Sequence, residues 1–192
     1  MQAVAVSEIF EKLEKRPSDA ARSSLVALCE SRFSRGMPVL ANFLYFANAE
    51  MRHLFYPRSQ TAEDGRFVST LLEGDVLFPD GIALALSYSR YAHPEIPPFK
   101  MLTSYRSMGD AALPNLNGTD LLPALLKDFA LAFGPNATAY LYGAREEVVS
   151  RAADEISHMT GMPVGFQNGY APFDFEKYES FASGPKILLV GL

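Results

Sequence analysis

The chain has 192 residues, is 48% hydrophobic and carries a formal net charge of −5. That length and composition suit one sizeable domain with a buried core and exclude a disordered chain. The acidic balance and the lack of a long basic run exclude nucleic-acid binding through an electrostatic footprint. The single cysteine, Cys29, excludes an intrachain disulfide and fits a reducing compartment. It falls in an apolar helical pattern with Leu25 and Leu28 and reads as a buried thiol. No basic stretch followed by an apolar core opens the chain, and no apolar run approaches the ~20 residues that span a bilayer. The expected location is therefore cytoplasmic. His53, His93 and His158 are scattered, without a second His or Cys at ligand spacing, so no metal is expected.

In chain order, residues 6 to 16 read as a polar amphipathic helix ending before Pro17. Ser18 then caps a second helix through about residue 34, with Leu25, Leu28 and Phe33 on its apolar side. Residues 1–36 thus form a helical N-terminal segment. Residues 38 to 46 are a nearly continuous apolar run, which predicts a buried strand. Helices are predicted from about Asn48 to Phe55 and over 65 to 73. The run Val76-Leu77-Phe78-Pro79 predicts a second strand ending at Asp80, with a helix to about Tyr91. Residues 92–116 lack periodicity and contain four prolines. They read as an inserted loop carrying Lys100 and Arg106.

The pattern then sharpens. Asn117-Gly118-Thr119-Asp120 opens a helix whose Leu122, Leu126, Phe129 and Phe133 form an apolar stripe. Residues 137 to 142 predict a strand, and Gly143-Ala144 a turn into a helix with Val149, Ala152, Ala153 and Ile156 on one face. Glu146 and Glu147 suit the N-terminus of that helix. A short strand over 163 to 167 precedes an Asn168-Gly169 turn, and 186 to 191 is a last apolar strand. Apolar strands alternating with helices predict one α/β domain over 1–192, with a Rossmann-like, mostly parallel sheet and helices on both faces.

In such a sheet the strand-to-helix junctions share one edge, where ligands bind. Asp80-Gly81 and Gly143-Ala144 are two of these, and the Asn117–Asp120 helix start joins them. Helix N-termini with small residues offer free N–H groups to phosphate. Neither Gly118-Thr119 nor Gly143-Ala144 is a dinucleotide or Walker fingerprint, and no Gly-x-Ser-x-Gly elbow exists. Taken alone, Asp80 before a glycine is more often a helix cap than a catalytic group.

The ordered strings Asp75-Val-Leu-Phe-Pro-Asp-Gly81, Asn117-Gly-Thr-Asp-Leu-Leu-Pro-Ala-Leu-Leu, Tyr140-Leu-Tyr-Gly-Ala-Arg, Val148-Val-Ser-Arg-Ala-Ala, Asn168-Gly-Tyr170 and Ile187-Leu-Leu-Val-Gly-Leu192 change that balance. Together they resemble the WecG/TagA/CpsF glycosyltransferases over roughly residues 38 to 192. The resemblance implies a Rossmann-like enzyme. It would transfer a sugar of the N-acetylmannosamine type from a UDP-sugar donor to an undecaprenyl-diphosphate-linked acceptor, with inversion and without a metal or other cofactor. The products feed cell-surface polysaccharides. Asp80 matches the family's proposed general base, and Asn48 its strand-end asparagine, with Asn42 the rival position. The resemblance extends to Gly81, Asn117, Gly118, Thr119, Asp120, Gly143, Ala144 and Tyr170 as substrate-binding positions. It also fits peripheral contact with the inner face of the cell membrane and a homo-oligomer.

Three departures accompany the match. The family's arginine before Gly-Thr-Asp is Asn115 here, which leaves Arg106 or Lys100 to face the leaving diphosphate. The family's threonine two residues before its asparagine is Phe46. The family's Gly-x-Pro-x-Gln-Glu segment and basic tail do not follow Leu192, so a shortened or divergent member is expected. The alternative expectation is a catalytically degenerate module of the same fold that binds a nucleotide or partner. A third is an unrelated α/β domain in which the turns are only caps.

Overall fold

A computed structural model describes residues 6–45, 69–97, 100, 113–114 and 116–191. The protein is mixed α/β, and its strands form two small parallel sheets. The chain divides into two compact units. The first comprises Met1–Leu25 and Met37–Leu121, the second Val26–Gly36 and Leu122–Leu192. Among the described residues no helix is long and apolar enough to cross a membrane.

In the first unit, α1 (Val6–Lys12) is shorter than its periodicity predicts. Leu13 leaves the helix to bridge Leu77, and the Glu14 N–H donates to the Leu77 carbonyl at 2.8 Å. A long-range partner therefore ends α1 four residues early. Helix α2 (Ser18–Phe33) begins with the Pro17 carbonyl accepting the Ala21 N–H, so Ser18 lies in the first turn rather than capping it. Phe33, in the part of this helix that belongs to the second unit, is half exposed but stands edge-on to Phe133 at 5.8 Å, as an apolar-side residue would.

Strand β1 (Ala41–Tyr45) pairs in parallel with β2 (Val76–Asp80), Ala41 opposite Val76 and Tyr45 opposite Asp80. The first strand starts later than predicted. Asp75 holds its approach, accepting the Leu40 N–H at 3.0 Å. Residues 69–73 are helical, as the end of the predicted 65 to 73 helix, and α3 (Ile82–Ala92) follows β2. Ile9, Phe10, Leu13, Leu71, Leu77 and Leu84 form this unit's core. The predicted helix over Asn48 to Phe55, and most of the predicted loop, lie outside the described residues.

In the second unit, β3 (Thr138–Gly143) is the central strand of a sheet with order β4-β3-β5. A 3-10 turn, Gly134–Asn136, leads into it from α4 (Gly118–Phe133), the helix that carries the predicted stripe. Helix α5 (Glu146–Thr160) connects β3 to β4 (Val164–Gln167), and α6 (Phe175–Phe181) connects β4 to β5 (Lys186–Gly191). Both pairings are parallel, with Ala139 opposite Val164 and Ile187. Ala139 and Leu141 face a core built from Leu126, Phe129, Val149, Ala153 and Met162. Cys29 packs against it and is only partly buried, where the sequence predicts a buried thiol.

Two expectations are corrected here. Among the described residues the strands pair within two small sheets where one is expected, and β5 is only partly covered. Residues paired across a sheet share a face, so Leu188 and Val190 share the face of Tyr140 and Tyr142. They remain 37% and 63% exposed. Ala152 is also exposed, unlike Val149 and Ala153 on the same helix.

Candidate functional site

Asp80 is the last residue of β2 and lies, partly exposed, at the carboxyl end of a parallel pair. Gly81 follows with φ 88° and ψ 151°, a conformation that glycine adopts readily and L side chains rarely do. Gly81 itself is the N-cap of α3, and no side chain caps that helix. Asp80 is thus not the helix cap that an Asp-Gly pair ordinarily supplies. Among the described residues its carboxylate has no hydrogen-bond or ion-pair partner. Such a group is chemically available to accept a proton from a hydroxyl brought within about 3 Å.

The start of α4 lies beside this strand end, because the Leu116 N–H donates to the Pro79 carbonyl at 3.2 Å. The structure therefore brings Asp80 and Gly81 near Asn117, Gly118, Thr119 and Asp120. Asn117 and Asp120 are engaged with each other. Asn117 Oδ1 accepts the Asp120 N–H and Asn117 Nδ2 donates to Asp120 Oδ2, each at 2.8 Å. This cap satisfies the Asp120 N–H and leaves those of Gly118 and Thr119 to other partners. Asn42 is the second residue of β1 and pairs with Leu77. Three residues at about 3.3 Å each separate it from the strand end opposite Asp80. Its amide nitrogen is buried and, among the described residues, without a partner, close against Gly74. Asn42 is therefore not at the edge where Asp80 lies. Asn48, Arg106 and Asn115 lie outside the described residues, and Lys100 is exposed.

A second edge belongs to the β4-β3-β5 sheet. The chain leaves β3 through α5 toward β4, then passes through α6 to β5 on the other side of β3. That reversal makes the carboxyl end of β3 a switch point, the usual ligand crevice of a parallel sheet. Gly143 ends β3 with φ 149°, and a Cβ there would lie 1.5 Å from the Gly191 carbonyl oxygen. Only glycine lets the two strand ends approach so closely. Ala144 follows in the left-handed region at φ 54°, a rare conformation for a residue with a Cβ. The Gly169 N–H donates to the Ala144 carbonyl at 3.0 Å. Asn168 Oδ1 accepts the N–H groups of Tyr170 and Ala171 at 3.2 and 3.1 Å. Gly143, Ala144 and Tyr170 are thus gathered at one edge, and Tyr170 is 79% exposed.

The electrostatics there are mixed. The α5 N-terminus offers free N–H groups to an anion. Glu146 and Glu147 occupy its first turn, however, and Glu146 Oε2 accepts from Asn168 Nδ2 at 3.2 Å. Arg145 is the adjacent cation, at the N-cap position and exposed. Among the described residues no group of three or more His, Cys, Asp or Glu is gathered, so no metal holder is assigned.

Sequence reasoning missed Gln167. Its buried amide donates to the Pro172 carbonyl at 2.7 Å and accepts the Asp174 N–H at 3.1 Å. It also missed the Tyr142 hydroxyl, which donates to the Ala171 carbonyl at 2.9 Å. The alternation Gly165–Gln167, a polar residue at an inward strand position, was the available signal. No protein-family model, curated protein or solved structure matches this chain.

Proposed function

We propose that the chain is the core of an inverting glycosyltransferase with a Rossmann-like plan. It moves a sugar from a UDP-sugar donor to a lipid-diphosphate-linked acceptor. One observation carries this reading: Asp80 ends a buried parallel strand, yet neither caps the next helix nor pairs with another described residue. As base, Asp80 takes the proton of the acceptor hydroxyl while that oxygen attacks the anomeric carbon. The bond from that carbon to UDP breaks on the opposite face, so configuration inverts. Backbone N–H groups at Gly118-Thr119, beside the same strand end as Asp80, steady the departing diphosphate.

A second reading is a binding module of the same plan without turnover. The edge of the β4-β3-β5 sheet favours it, where Gly143, Ala144 and the exposed Tyr170 gather at a switch point within that sheet alone. Calorimetric titration with UDP, followed by a transfer assay with a lipid-diphosphate acceptor, separates the two. Binding with turnover is the result expected of the enzyme, and binding without turnover assigns the module. No UDP binding overturns the enzyme and the nucleotide-binding form of the module, leaving only a module that holds a partner.

A further inference from the structure

Helix α6 has seven residues and buries none of them. Its N-terminus is capped locally, Asp174 Oδ1 accepting the Lys177 N–H at 3.0 Å. Its C-terminus has no such provision. The last turn carries no basic residue, and Ala182 is extended at φ −162° instead of forming a left-handed cap. The final carbonyls of a helix need partners, and cations are favoured beside them.

A partner comes from another element. Lys186 Nζ, from the first residue of β5, donates to the Tyr178 carbonyl. It also lies 4.3 Å from the centroid of the Tyr178 ring, within cation–π range. Glu179 of the same helix adds an attractive charge, although burial holds the amine below the ordinary lysine value. Under α6, the rings of Tyr178 and Phe181 stand edge-on to Tyr140 at 5.3 and 5.6 Å. The Tyr140 ring is fully buried. The preceding segment is held separately, by Gln167 at Pro172 and Asp174 and by Tyr142 at Ala171.

We propose that Lys186 is a charge latch: its ammonium, supplied by β5, closes α6 over Tyr140, and loss of that charge opens the helix. Because Gln167 and Tyr142 anchor residues 171–174 independently, the opening is confined to α6. The latch does not depend on the transferase reading.

Hydrogen–deuterium exchange on the full chain tests this. Lys186→Met keeps the aliphatic stem and removes the charge, whereas Lys186→Arg keeps a cation. In Lys186→Met the amides of 178–181 exchange at least about ten-fold faster, as expected for losing a charge-assisted hydrogen bond. In Lys186→Arg they stay within about three-fold of the parent, the margin set by cation–π replacement. Amides of β3 and α5 are unchanged in both. Unchanged α6 exchange in Lys186→Met, equal opening in Lys186→Arg, or uniform loosening of the second unit each overturns the latch. Should Lys186→Met fail to fold, Lys186→Gln removes the charge with a polar end and leaves the Tyr178 ring on Tyr140 in place. Faster α6 exchange supports the latch, and parental exchange overturns it.

Discussion

The Tyr140 hydroxyl is buried and, among the described residues, makes no hydrogen bond. Burial pushes its pKa up, with the Asp174 charge adding to the effect, so the phenol stays neutral. An unpaired buried hydroxyl is destabilising, by about 1–3 kcal/mol for a typical group. Tyr140→Phe should therefore leave the urea midpoint unchanged or raise it. A fall would reveal a partner for the hydroxyl. Glu14 is the opposite case, a buried carboxylate that is fully engaged. It accepts from Arg16 N and Nε at 2.8 Å and from Nη2 at 2.5 Å, and Arg16 reaches Ser24. The Arg16 hydrogen bonds hold its pKa below the ordinary 4.5, against the opposing effect of burial. A carboxylate lowered on folding contributes stability above its unfolded value and loses it as pH falls through the folded one. The urea-midpoint advantage of wild type over Glu14→Gln should be full at pH 7 and shrink progressively below 4.5. A gap independent of pH would contradict the assignment.

At the scale of elements, strands followed by glycine turns were readable because their signals are local. Val76–Asp80 with Gly81, and Thr138–Gly143 with Ala144, each join an apolar run to a permissive residue and a helical pattern. What Gly81 does with its freedom was not readable. Its φ of 88° makes glycine, not Asp80, the cap. Elements set by distant partners were also hidden. Leu13 leaves α1 for Leu77, and α6 is held by Gln167 and Lys186 as well as by its Tyr178 and Phe181 rings on Tyr140. The Gly143 junction gives a direct check on backbone proximity. Gly143→Ala combines an unfavourable φ with a Cβ driven into the Gly191 backbone. Chemical denaturation should show a loss of about 3 kcal/mol or more. A loss below about 1 kcal/mol would mean that the two strand ends do not meet as described.

For the whole molecule, the alternation of strands and helices correctly indicated parallel α/β architecture. It could not reveal how the strands divide between sheets, since pairing partners are chosen across the chain and leave no local period. The apolar run 186–191 likewise reads as a covered strand although Leu188 and Val190 are partly exposed. Each sheet has its own strand-end junction, and the account rests most heavily on the carboxylate at the first. The direct measurement is the transfer rate of Asp80→Asn beside wild type, with UDP affinity measured on the same samples. As general base, Asp80 requires turnover to fall about 10²–10⁴-fold while UDP affinity stays within about three-fold. Turnover retained by Asp80→Asn would contradict the account.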